Sequence, residues 1–290
     1  MKTYIYLNPK GSWHLLLLLV LLLCSCVNLQ HVSDYATTST TQLKTYDALG
    51  YSFSQACDDA CGIMALRDLQ LMTTDCHCAA DSTADSVTTV ICKGLKTYFD
   101  ALSKLSGKET GKYKTSGFSK SLQAGSFGSV TITKPQATAY TQLAGLITDV
   151  IAGFYKHQKV REYINTANAP VQELLQALAF NIRDNLGGKL KAQQARLQSL
   201  YFDLANDSVA TQYERTKAIQ DYHATAQTLK TKAAELEVFA KGLDKLAKGH
   251  QKLYEERERL TLAACKAVLT EYSDQVNDLV DAFNKLKNNH

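Results

Sequence analysis

The sequence predicts an all-α fold, an elongated antiparallel helical bundle or coiled coil with one long Gly/Ser-rich loop that has room for a short β-hairpin. Apolar residues recur at steps of three and four over most of the chain, which is the period of an amphipathic helix. The 290 residues include only three prolines. No segment alternates predicted strands with helices, and this excludes an α/β fold.

The first part of the predicted bundle is a Cys-rich helical hairpin over residues 34–106. Apolar positions from Tyr46 to Ile63 predict one helix from residue 34 to about Met72. A polar turn follows, and then a second helix. Its apolar face consists of Val87, Ile91, Leu95, Tyr98, Leu102 and Leu105.

Residues 107–134 differ in composition and are predicted to form a flexible loop. They are rich in Gly, Ser, Thr and Lys. Polar and apolar residues alternate from Ser129 to Thr133, which predicts a short strand or hairpin there. Loops of this length are usually functional or disordered.

Residues 135–290 are predicted to form a bundle of long helices. Pro135 suits the start of a third helix, residues 165–168 break it, Pro170 opens a fourth, and Gly187-Gly188 is a weak point. Residues 206–208 form a turn and the next N-cap. Two coiled-coil seams follow that are out of phase by about two residues, so we expect a break near residues 248–250. The seams are Leu236, Phe239, Leu243, Leu246, His250 and Leu253, and then Leu262, Cys265, Leu269, Tyr272, Val276, Leu279, Phe283 and Leu286.

The amino-terminal segment resembles the signal peptide of bacterial lipoproteins. A run of aliphatic residues, Leu15 to Leu23, follows two lysines and is too short to span a bilayer. Leu23, Ser25 and Cys26 resemble a lipobox. The resemblance covers only these residues; it implies that residues 1–25 are removed and that Cys26 is acylated. The alternative is an ordinary signal peptide with an incidental cysteine.

The lipobox implies a location as well as an anchor. The protein would be held in the bacterial cell envelope by the lipid on Cys26, with residues 26–33 as a short polar tether. Val27 rather than an aspartate follows the cysteine, and by the enterobacterial sorting rule this favours the outer membrane over the inner.

Six cysteines remain in the mature chain, and an even number in an exported protein predicts disulfides. They are Cys57, Cys61, Cys76, Cys78, Cys92 and Cys265. We expect three structural disulfides. In a helical hairpin Cys61 and Cys92 would lie level, so a bridge between them is geometrically reasonable. Cys265 could tie the last helix to the hairpin or remain a buried thiol.

A metal site is the alternative interpretation of the same cluster. Cys57, Cys61, Cys76, His77 and Cys78 supply five potential ligands, and zinc takes four. Their spacing is not a common zinc signature, and an oxidising compartment favours disulfides. We therefore predict no metal and no other cofactor.

Three serines are candidates for O-glycosylation. Ser82, Ser86 and Ser208 each follow an aspartate and precede Thr or Val. These triplets resemble the O-glycosylation sites of exported Bacteroidetes proteins. Asp-Ser pairs are also common at helix N-caps, which is the alternative explanation.

The sequence does not predict an enzyme. Residues 124–128 approach the G-x-S-x-G nucleophile elbow, but the buried strand and the helix that this motif needs are not predicted around them. The remaining histidines have no partner at metal-ligand spacing. Without the two lysines of residues 1–25, the formal charge falls from +4 to +2, which argues against a nucleic-acid partner.

The expected function is therefore that of a non-catalytic, lipid-anchored envelope protein that presents a helical surface to a protein partner. Two alternatives stay open. One is a pore-forming or membrane-remodelling protein that inserts residues 107–155. The other is a metal-binding or enzymatic envelope protein that uses the Cys/His cluster. The sequence does not specify an oligomeric state.

Overall fold

The computed structural model describes residues 29–70, 76–107, 118, 120–148 and 156–288. These residues form helices and one β-hairpin, so the predicted all-α bundle is confirmed. The helices are α1 Gln30–Lys44, α2 Phe53–Arg67, α3 Ala79–Ser106, α4 Lys134–Thr148, α5 Lys156–Phe180, α6 Gly187–Asn206, α7 Gln212–Glu255 and α8 Ala263–Asn288. The strands are β1 Gly125–Phe127 and β2 Val130–Ile132.

The main body of the bundle consists of α1, α3, α4, α5, α8 and the carboxyl-terminal half of α7. Helices α1 and α7 are antiparallel, because Tyr35 donates to the carbonyl oxygen of Leu246, and Gln42, later in α1, donates to that of Phe239, earlier in α7. The core of the body is fully buried and largely aromatic and aliphatic. It includes Tyr35, Tyr98, Phe99, Leu102, Leu243 and Leu253.

A two-helix arm extends from this body. It is formed by α6 and residues 212–235 of α7, which pack as an antiparallel pair. The 44 residues of α7 make it about 66 Å long, so its amino-terminal end lies far from the body. Thr211 and Glu214 form a capping box there, and the N-cap is Thr211 rather than the predicted residues 206–208.

The predicted hairpin is present and packs on the start of α3. Strands β1 and β2 pair antiparallel, with Gly125 opposite Ile132 and Phe127 opposite Val130. The two-residue turn contains Gly128 at φ +59°, a conformation that costs glycine little. Val130 and Ile132 are buried, which fixes the face of the hairpin that meets the helices.

Two predictions for this part of the chain are wrong, the single helix over residues 34–72 and the polar tether over residues 26–33. First, the chain leaves α1 after Lys44 through a 3₁₀ turn and starts α2 at Phe53, where the hydroxyl of Ser52 accepts from the amide of Gln55. Second, residues 29–33, predicted to belong to a polar tether, are part of the bundle. Leu29 is buried and α1 already begins at Gln30.

The break predicted at residues 165–168 is wrong, and the break predicted near residues 248–250 is present but lies at residues 256–262. Helix α5 continues through both Asn168 and Pro170, because its buried face packs against α7. An internal proline costs about 3 kcal/mol, and burial of this face offsets that cost. Helix α7 runs through His250 and the chain turns only at residues 256–262. The predicted weak point at Gly187-Gly188 directly follows a π-helical segment, Asn181–Leu186.

Candidate functional site

Two disulfides join α2 to the segment just before α3. Cys57 is bonded to Cys78 and Cys61 to Cys76, each with a Cα–Cα distance of 5.8 Å. The two half-cystines of α2 lie one helical turn apart, and their partners flank His77, so the bridges are neighbours. The expected Cys61–Cys92 bridge is wrong, because Cys61 is paired with the nearer cysteine of the turn.

The remaining two cysteines are buried free thiols, so the expectation of three disulfides is wrong for the described residues. The thiol of Cys92 donates to the carbonyl oxygen of Leu43 across 3.5 Å, and burial raises its pKa. Burial also raises the pKa of Cys265, to about 11. A thiol that stays protonated is a poor nucleophile, so both residues serve as core packing.

The alternative metal site would need the sulfurs that the disulfides occupy. Cys57, Cys61, Cys76 and Cys78 are all oxidised, and a disulfide sulfur is not a thiolate ligand. Within the described ranges no group of three or more His, Cys, Asp or Glu side chains is arranged to hold a metal ion.

The carboxylate of Asp85 fastens the start of α2 to α3 beside these bridges. It accepts from the amides of Phe53 at 2.8 Å and Ser54 at 2.9 Å. A carboxylate at this position satisfies amides that have no partner within the helix. Asp85 also lines an open groove of about 330 Å³, together with Lys93 and Lys120.

The three candidate glycosylation serines are all exposed. Ser82 and Ser86 lie on the outer face of the first turns of α3 and open into this groove. Ser208 lies in the turn between α6 and α7. Each hydroxyl group is therefore accessible to an enzyme, although Ser82 and Ser86 lie within a helix and not in a loop.

The segment that resembles a nucleophile elbow is the β-hairpin itself. Ser126 lies in β1, and its hydroxyl is 3.5 Å from that of Thr131 on β2. The residues after it turn into β2 instead of starting a helix, so the geometry of the nucleophile elbow is not formed.

A buried polar cluster lies in the middle of the body, and the sequence analysis missed it. His250 accepts from the hydroxyl of Tyr98 at Nε2 and donates from Nδ1 to the side-chain oxygen of Asn168, at 2.7 and 3.0 Å. Tyr163 stacks on Tyr98 with ring centroids 5.1 Å apart. Burial lowers the pKa of His250 to about 3, so the ring is neutral. The seam position of His250 was the only signal in the sequence.

Four exposed apolar side chains lie near the free end of the arm, between the last turns of α6 and the first turn of α7. Val209 is 89% exposed, Tyr213 77%, Phe202 66% and Leu204 42%. The arm itself is held by aromatic contact between Tyr201 and Tyr222. Apolar patches of this kind mark sites of interaction with other macromolecules. We define the arm tip as Phe202, Leu204, Val209 and Tyr213.

The residues proposed for insertion into a membrane are only partly described. Helix α4, within residues 107–155, packs its apolar face into the bundle, where Tyr140, Leu143 and Ile147 are buried. None of the described helices combines the length and apolar character needed to cross a bilayer. Cys26, the predicted lipid attachment site, lies outside the described residues.

The chain matches no protein-family model, no curated protein and no solved structure.

Proposed function

We propose that this protein is a non-catalytic, lipid-anchored component of the bacterial cell envelope that binds a protein partner through its arm tip. The anchor is the lipid on Cys26, in the outer membrane in preference to the inner. The observation that carries the proposal is the position of the exposed apolar arm tip. It lies at the opposite end of α7 from the start of α1.

The geometry of α7 supports this arrangement. The start of α1 lies beside the carboxyl-terminal end of α7, because the ring of His31 donates to the carbonyl oxygen of Leu260 at 2.7 Å. The arm tip lies at the amino-terminal end, about 66 Å away along the helix. An anchor just before α1 would therefore hold the arm tip well away from the membrane.

The chemistry of the arm tip supports a protein partner. Its four residues supply two aromatic rings and two aliphatic side chains, and aromatic residues are enriched in the central contacts of protein interfaces. Two features hold the arm in shape without covering these side chains, the capping box at Thr211 and the contact of Tyr201 with Tyr222. The partner would find a preformed surface, which lowers the entropic cost of binding.

Photo-crosslinking in the native host tests the proposal. A photoreactive amino acid replaces Tyr213 at the arm tip, and a matched control replaces Asp278, an exposed residue of α8 in the body. We expect a discrete protein adduct from position 213 and none from position 278. No adduct from position 213, or the same adduct from both positions, would contradict the proposal.

A second variant separates binding from folding. Val209→Ser removes a side chain that is 89% exposed, so the unfolding midpoint should not change. The adduct formed from position 213 should be lost. If the adduct persists at the same yield, the apolar side chains are not the binding surface.

A further inference from the structure

We infer that the end of the bundle at the α7–α8 turn lies directly on a phospholipid surface, with Leu262 in contact with the lipid. This inference rests on the proposed anchor at Cys26 and adds the orientation of the protein on the membrane. We define the basal surface as Arg259, Leu262, Ala263, Ala264 and Lys266.

Only a short length of chain separates the anchor from the fold. Leu29 is 2% exposed, and its carbonyl oxygen accepts from the amides of Val32 and Ser33, so the chain is already packed into the bundle at the first described residue. Three residue steps separate Cys26 from Leu29, and a fully extended chain covers about 11 Å in three steps. Such a length leaves no room for a tether that would lift the bundle off the membrane.

The start of α1 lies next to the α7–α8 turn. His31 donates to the carbonyl oxygen of Leu260, which joins α1 to the turn over residues 256–262. Arg161 donates to Glu258 at 2.7 Å, which brings the start of α5 to the same turn. The α7–α8 turn is therefore part of the bundle end from which α1 starts.

The basal surface combines exposed apolar side chains with cationic ones. Leu262 is 50% exposed, and Ala263 and Ala264 beside it are also exposed. Lys266 is exposed one turn later, and the side chain of Arg259 is 62% exposed and pairs with Glu256 at 3.2 Å. Apolar side chains flanked by cations suit the boundary between acyl chains and anionic headgroups.

The turn holds this surface in place. The amide of Leu262 donates to the carbonyl oxygen of Arg259 at 3.0 Å, and the amide of Lys266 donates to that of Leu262 at 3.2 Å. Leu260 is fully buried, whereas Leu262 points outward. The exposure of Leu262 is thus fixed by a hydrogen-bonded turn that is itself fastened to α1.

Fluorescence quenching by lipids tests the orientation. The acylated full-length chain is purified from bacterial membranes as Leu262→Cys or as Val209→Cys and labelled with a thiol-reactive fluorophore. The six cysteines that the structure describes are buried or in disulfides, and the sulfur of an acylated Cys26 is blocked, so in the acylated chain the label goes to the introduced cysteine. Each protein is reconstituted in vesicles of phosphatidylglycerol and phosphatidylethanolamine that carry headgroup-quencher lipids.

We expect the label at position 262 to lose most of its fluorescence and the label at position 209, on the arm tip, to lose none. Equal quenching at both positions, or no quenching at position 262, would overturn the inference. The mass of the amino-terminal peptide is measured on the same samples. An acylated Cys26 without quenching at position 262 refutes only the orientation, whereas an unmodified Cys26 refutes the proposed anchor itself.

Discussion

Tyr98 donates its hydroxyl hydrogen to Nε2 of His250 across 2.7 Å in the centre of the body, where both side chains are fully buried. The bond joins α3 to α7, and Nδ1 of His250 donates to the side-chain oxygen of Asn168 on α5. Three helices that are distant in sequence are thus aligned by one polar cluster. A buried polar group without its partner is costly, so this cluster specifies how the three helices pack.

Removing the histidine should destabilise the fold strongly. We expect His250→Ala to lower the free energy of unfolding by about 2–4 kcal/mol, because it leaves a cavity and two unpaired polar groups. Tyr98→Phe should cost about 1–2 kcal/mol, since it removes only the hydroxyl group. Denaturant unfolding measures both. Tyr213→Phe, on the exposed arm tip, is the control and should change stability by less than about 0.5 kcal/mol.

The same histidine predicts a dependence of stability on pH. Burial lowers the pKa of His250 from 6.5 to about 3, so between these values the unfolded chain binds a proton that the folded chain does not. Stability from this group is present above pH 6.5 and is lost as the pH falls toward 3. The slope approaches about 1.4 kcal/mol per pH unit. His31, whose pKa burial also lowers, adds in the same direction.

Unfolding free energies at pH 7.5 and pH 5.5 test this, because few carboxylates titrate in that range. The wild-type chain should be less stable at pH 5.5. In His250→Gln the difference between the two pH values should shrink. A difference that is the same in both proteins would show that His250 is not the titrating group.

The two disulfides should stabilise α2 more than the rest of the bundle. Their loops span 21 and 15 residues, and on the chain-entropy account a loop of about 15 residues contributes about 3 kcal/mol. One loop lies inside the other, so the effects should not add fully. Serine at all four positions should speed amide hydrogen exchange in α2 while α8 keeps its protection. Equal acceleration in both helices would contradict a local role.

Two glycines make a matched pair of alanine substitutions. A Cβ atom on Gly249 would lie 2.6 Å from the ring of Tyr35, whereas one on Gly188 meets no atom within 4 Å. We expect Gly249→Ala to cost about 1–3 kcal/mol through overpacking. Gly188→Ala should stabilise by about 0.5–1 kcal/mol, because alanine loses less entropy in a helix. Thermal unfolding of the two variants should therefore shift in opposite directions.

The periodic pattern of the sequence was sufficient for the fold class, the hairpin and the first seam, because burial of an apolar stripe decides each of them. The second seam is wrong at its first position, because Leu262 is 50% exposed. The pattern failed where tertiary contacts override local preference. Pro170 continues a helix because its face is buried against α7, and His250 continues another because Tyr98 and Asn168 satisfy its ring. Neither partner can be identified from spacing alone.

The candidate sites, too, were predicted only where the sequence pattern alone decides them. Four of the six cysteines predicted to be bridged form disulfides, but the pairing of each cysteine of α2 with Cys76 or Cys78 cannot be deduced from their spacing. The arm tip was missed because Leu204 continues the helical stripe of Leu190 and Leu197, which are buried. Only the packed structure distinguishes a covered stripe from an exposed one.

The most direct test of the account is the mass of the amino-terminal peptide of the protein purified from its native membrane. We predict that the mature chain begins at Cys26 and carries acyl chains there, because both the reach of the arm and the orientation of the basal surface depend on that anchor. A mature chain that is cleaved elsewhere and carries no lipid would contradict it.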